Sequence, residues 1–234
     1  MKTINLSNKE LDRINLSRFD DYLVEHYRHP HTNGGYGFYD KSGVEHYSML
    51  AYLSTLVDNE VILDIGTFLG GSALALSYNK TNTVISVDIE RQIEIEESPF
   101  NIDFRIGNIL SDEGLVKSSA STNITTSGLF NVESLIPKIN GPEIIQSSNL
   151  ILYDTVHDGA TEKEFHDYLI KTNWDGVCIW DDILYKHNGS PRQKMQDFWH
   201  SIDNPKIDVT KYAHHTGTGL VLYGKASNTK VNLL

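Results

Sequence analysis

The residues of this chain best placed to do chemistry are glycines and carboxylates that follow apolar runs. Val61-Ile62-Leu63-Asp64-Ile65 has the length and β-branched content of a buried strand, and Gly66-Thr67-Phe68-Leu69-Gly70-Gly71-Ser72 follows at once, where a tight turn must hand over to a helix. A second apolar run, Thr83 to Val87, ends at Asp88. A strand, a glycine turn, a helix and a strand ending in an acid suit a nucleoside-bearing ligand. A turn free of side chains lets the ligand approach the backbone, and a carboxylate at the end of the next strand accepts hydrogen bonds from both ribose hydroxyls. The spacing excludes two common versions. No Gly-x-Gly precedes the helix, so a dinucleotide pyrophosphate site is not expected, and no Gly-Lys-Ser/Thr follows to make a Walker loop.

A second set of acids lies further on. Asp154 closes the run Asn149-Leu150-Ile151-Leu152-Tyr153, and Asp181-Asp182 close Val177-Cys178-Ile179-Trp180. His157 stands three residues beyond Asp154. Near neutral pH an imidazole can take a hydroxyl proton. Carboxylates gathered in a low-dielectric cleft repel unless some are protonated or a cation sits among them, and an all-oxygen set suits Mg²⁺.

The pattern Asp64-x-Gly66-x-x-x-Gly70, with Asp88 twenty-two residues beyond Gly66, resembles the S-adenosylmethionine site of class I methyltransferases. Gly66-x-x-x-Gly70-x-Ser72-Ala73 is most similar to the metal-dependent O-methyltransferases of the catechol and caffeoyl-CoA type. The Asp181-Asp182-Ile183 end resembles the macrocin and novobiocin sugar O-methyltransferases more closely, since the catechol type has Asn where Asp182 stands. The resemblance implies cofactor contacts from Asp64, Gly66, Thr67, Gly70 and Ser72, a ribose partner in Asp88, and an adenine neighbour in Asn108. It implies a divalent cation, Mg²⁺ by preference, held by Asp154, Asp181 and Asp182. A lysine general base occupies the His157 offset in the catechol type, which makes His157, with Asp154, the candidate catalytic pair. A loop histidine paired to a neighbouring acid is the structural alternative.

The bulk numbers bound the rest. A chain of 234 residues is long enough for one α/β domain with a full core. The net charge of −11, with no Lys/Arg cluster, argues against a nucleic-acid partner. No apolar run approaches a membrane span, and from the polar start of the chain no signal peptide is expected. The single cysteine, Cys178, makes an internal disulfide impossible and a reducing, cytoplasmic setting the simple expectation. The expected partner is a small hydroxylated acceptor such as a sugar or a phenol. A homo-oligomer is compatible with the sequence.

The elements that must position these residues alternate strand and helix, which predicts a Rossmann-like, doubly wound α/β fold. Its mostly parallel seven-stranded sheet would end in an antiparallel hairpin, with ligands at the strand carboxyl ends. Residues 1–58 read as a helical segment with an acceptor-side loop, and 59–234 as the methyltransferase core. Ser7-Asn8-Lys9-Glu10 has the form of a capping box, predicting a helix to about Tyr27. The aromatic, Gly-rich segment from His29 to Tyr39 could overlie an acceptor pocket or be a surface loop. Val44 to Val57 predicts a helix carrying His46 and Tyr47. Ser111 to Leu129 is a polar stretch expected as disorder or a lid. Thr161-Glu162-Lys163-Glu164 and Ser190-Pro191-Arg192-Gln193 both look like helix starts.

Two other functions are compatible with the sequence. A non-catalytic S-adenosylmethionine-binding protein would keep the turn and Asp88 without transfer. His214-His215 with one aspartate would make a two-histidine, one-carboxylate iron site, hence an oxygenase.

Overall fold

The computed structural model describes residues 3–19, 44–68, 70–89, 100–109, 139–184, 186–187, 190–191, 193–213 and 215–234. The His29 to Tyr39 and Ser111 to Leu129 segments, with the lid reading of the latter, lie outside them, as does His214.

Seven strands form the central sheet: β2 (Val61–Ile65), β3 (Thr83–Asp88), β4 (Ile102–Ile106), β5 (Ser148–Tyr153), β6 (Gly176–Asp181), β9 (Lys206–Asp208) and β10 (Thr218–Tyr223). Their spatial order is β4-β3-β2-β5-β6-β10-β9. The first five are mutually parallel, and β10 runs antiparallel to both β6 and β9. This is the doubly wound sheet with a closing antiparallel pair that the alternation of elements predicts. The order reverses between β2 and β5, so the crevice at their carboxyl ends is the topological switch point, where ligands of open α/β sheets bind.

Successive strand residues point to opposite faces, and both faces are covered, which is why these strands read as nearly continuous apolar runs. Ile62, Val84, Leu150, Leu152, Ile179 and Leu220 pack on one side with helices α2 (Val44–Ser54) and α3 (Gly71–Leu76). Leu63, Ile85, Ile151, Tyr153, Trp180 and Val221 pack on the other with α4 (Gly141–Ser147), α5 (Ala160–Lys171) and α6 (Gln193–Ser201).

Several local expectations are corrected. Ser7 does cap a helix, its hydroxyl accepting from the Glu10 amide at 3.2 Å, but α1 covers only Asn8–Leu11. Asn15 turns its side-chain oxygen onto the amide and hydroxyl of Ser17, competing with a helical backbone just where the helix would continue. Before it, β1 (Thr3–Leu6) pairs in parallel with β11 (Lys230–Leu233), a terminal clasp that no local pattern signals. Ile4 and Leu6 join the main core through it. Ser190–Pro191 forms a short ladder, β8, with β7 (Lys186–His187) instead of capping α6. Thr161 lies inside α5, whose start is at Gly159. Among the described residues no helix is long and apolar enough to cross a membrane.

Candidate active site at the strand carboxyl ends

The first half of the site is the turn after β2. Gly66 takes a left-handed φ of 97°, and its amide donates to the Val87 carbonyl at 2.9 Å. Phe68 is also left-handed, at φ 44°, which aims its amide at the Asp88 carboxylate, 2.8 Å away. Gly70, at φ 79°, opens α3. A Cβ on Gly66 would collide with the carbonyl oxygen of Asp154. The absence of a side chain on Gly66 therefore makes room for the chain leaving the neighbouring strand. The Gly107 amide donates to the Asp88 carbonyl at 2.8 Å, which sets Asn108 beside Asp88 at the same edge. The Phe68 ring is half exposed there.

Under the turn runs a chain of buried polar groups. The Ser86 hydroxyl donates to Asp64 Oδ2 at 2.6 Å and meets the Thr67 hydroxyl at 2.5 Å. Asp64 is fully buried, and its Oδ1 has no hydrogen-bond partner among the described residues. Burial, opposed by the Ser86 and Ser72 hydroxyls, pushes its carboxyl up to about 7. A half-satisfied buried carboxylate is costly, so the neutral form is favoured. Asp64, Thr67 and Ser72 are all buried beneath the turn. Ser86 is a member that motif reading missed; the one trace in sequence is a polar residue inside an apolar strand.

The second half lies across the switch point. Asp154 directly follows β5 and His157 follows on a left-handed backbone, φ 52°. Its Nε2 stands 3.2 Å from Asp154 Oδ1 and 3.5 Å from Asp182 Oδ2. Asp182 is itself left-handed, φ 56°, so the chain turns as it leaves β6 and brings this carboxylate round to the histidine. Asp181 stays in the strand. Its Oδ1 accepts from the hydroxyl of Thr218, its cross-strand partner in β10, at 3.0 Å. Burial and the charge of Asp181 push Asp154 up to about 6. Burial works against a charged His157, but its bond to Asp154 and the charges of Asp154, Asp182 and Asp181 outweigh it, raising the imidazole to about 9.

The loop that presents His157 is closely held. Asp158 Oδ1 accepts from the amides of Ala160 and Thr161, both at 2.9 Å. Glu162 reaches back to the Gly159 amide at 2.7 Å, and Gly159 has no room for a side chain against the Lys194 carbonyl. Sequence reading saw the capping pattern two residues late and so missed that these groups hold the histidine.

The cation implied by resemblance does not fit this arrangement. Asp154 and Asp182 share the His157 imidazole, while Asp181 is engaged with Thr218. Among the described residues no group of three or more His, Cys, Asp or Glu side chains is disposed to hold a metal. His215 is exposed, while Asp181 is buried.

No family model matches the chain, and no curated protein matches it. The chain is similar to several solved structures. One is a protein from Staphylococcus aureus provisionally described as a caffeoyl-CoA O-methyltransferase, 15% identical over 76% of this chain and 82% of that one, with a TM-score of 0.47. Another is the O-methyltransferase TomG from Streptomyces achromogenes in complex with S-adenosylmethionine, 14% identical over 90% and 99% of the two chains, TM-score 0.47. A third is the Podospora anserina methyltransferase PaMTH1 bound to S-adenosylhomocysteine, 10% identical over 96% and 100%, TM-score 0.46. Identities of 15% and below leave the residue roles to the geometry of this chain.

Proposed function

We propose that the protein is an S-adenosylmethionine-dependent O-methyltransferase acting on a hydroxyl of a small molecule of the sugar or phenolic kind. One observation carries the reading. A turn suited to a nucleoside and a carboxylate–histidine cluster suited to a proton meet at the switch point, joined where the Gly66 backbone packs on that of Asp154.

The residues around the turn fit the cofactor. Asp88 ends β3 as a ribose acceptor with its carboxylate fixed by the Phe68 amide, Asn108 lies beside it, and the exposed Phe68 ring offers an apolar face. When bound, S-adenosylmethionine supplies a sulfonium methyl whose transfer to an oxygen forms a C–O bond, leaves the C–S electron pair on sulfur and releases one proton. Receiving that proton is the task of the chain. With an imidazole raised to about 9, His157 is charged at neutral pH and serves as a base only above that. Asp154, raised to about 6, is ionised at neutral pH yet more basic than an ordinary carboxylate, which suits general-base work. The Asp154–His157 pair is therefore placed to take the proton, with His157 offsetting the charge of its acidic neighbours.

The test is calorimetry with S-adenosylhomocysteine followed by an acceptor screen for methyl transfer. Micromolar product binding and transfer to a hydroxylated sugar or phenol, with Asp154→Asn lowering turnover about 10²–10⁴-fold while product still binds, is the expected result. No binding of the nucleoside would sink the assignment.

A further inference from the structure

Asp154 and Asp182 come to a single nitrogen, His157 Nε2, from the ends of two adjacent strands. We propose that His157 is the built-in occupant of the place between these carboxylates, and that the site works without a divalent cation. This inference rests on the methyltransferase reading, because it is the resemblance behind that reading that would put a cation there.

Three features support it independently. A cation shared by the two acids would need oxygens at about 2.0–2.6 Å around a common centre, and the imidazole already stands at the point both oxygens address. The third carboxylate that a trio would need, Asp181, has one oxygen committed to the fully buried Thr218 hydroxyl between β6 and β10. The backbone that presents the histidine is also closely held. His157 and Asp182 are both left-handed without being glycine, a strain that persists only where surroundings enforce it. Asp158 and Glu162 fix the following residues, and the Lys194 backbone closes on Gly159. Admitting a cation at that point would require the imidazole to leave it.

The test is electron paramagnetic resonance of free Mn²⁺ titrated with the chelator-treated full chain, in parallel with product calorimetry. Wild type should leave the Mn²⁺ signal undiminished. His157→Gly, which clears the space and suits the left-handed backbone, should deplete it, and adding Asp182→Ala to that variant should restore it. His157→Asn, which also tolerates the backbone, serves as a second variant, with thermal melts reporting folding for each. Stoichiometric Mn²⁺ uptake by wild type, lost in Asp182→Ala, would overturn the inference, as would folded His157→Gly and His157→Asn proteins that take up no Mn²⁺. S-adenosylhomocysteine binding judges the methyltransferase reading separately: binding unchanged by Mg²⁺ is expected, and binding that depends on Mg²⁺ overturns this inference while leaving that reading intact.

Discussion

The carbonyl oxygen of Asp154 occupies the position at which a side chain on Gly66 would begin. The two halves of the site are thereby one piece of backbone packing across β2 and β5. Gly66→Ala would have to displace a backbone carbonyl and also hold alanine at φ 97°. The expected cost is at least about 3 kcal/mol, read as a lowered urea midpoint. Product binding should fall with it, because the turn and Asp154 move together. An unchanged midpoint would show that the turn is looser than described.

Asp88 accepts the Phe68 amide through one carboxylate oxygen. Asp88→Ala removes both that acceptor and the proposed ribose contact, and should weaken S-adenosylhomocysteine binding by about 1.5–3 kcal/mol, the range for hydrogen bonds to charged groups. Asp88→Asn, which keeps an oxygen for the amide, should lie between. Calorimetry of the three proteins checks the order.

Asp64 carries its carboxyl up to about 7 against an ordinary 3.8. The native state then binds the proton more tightly than the unfolded chain, so stability should fall as pH rises from about 4 through about 7. Asp64→Asn supplies an uncharged side chain of the same shape and should flatten that limb, gaining on the order of a few kcal/mol relative to wild type above neutrality. Urea unfolding at stepped pH values distinguishes the two; parallel curves would mean that Asp64 is ionised without penalty.

His157 behaves in the opposite range. Its imidazole is raised from 6.5 to about 9, so its contribution is fully present below about 6.5 and is lost as pH rises through about 9. Wild type should lose stability over that window and His157→Asn should not. Imidazole NMR gives the direct reading, and a midpoint near 6.5 would remove the charged histidine from the account of the site.

Strand and helix alternation was legible because strands buried on both faces must be apolar throughout, and the chain marks each end with glycine or acid. The turn from Gly66 to Gly70, Asp88 at the end of β3, and Asp154 with Asp181-Asp182 at the ends of β5 and β6 were all visible as such punctuation. Less was visible where partners are remote in sequence. The β1–β11 clasp joins the two ends of the chain, and Ser86 meets Asp64 across a strand pair. Neither leaves a local period or motif.

What the residue order determined by itself was therefore the element types, the positions of the acids and the type of chemistry to expect, since these follow from short-range pattern and side-chain identity. Only the tertiary structure decided which acids share a partner. Asp181 and Asp182 are neighbours in the chain, yet strand pairing carries the first to Thr218 and a left-handed turn carries the second to His157. Side-chain direction at a strand end depends on how the backbone turns there, at Asp182 a left-handed residue, which sequence proximity does not encode.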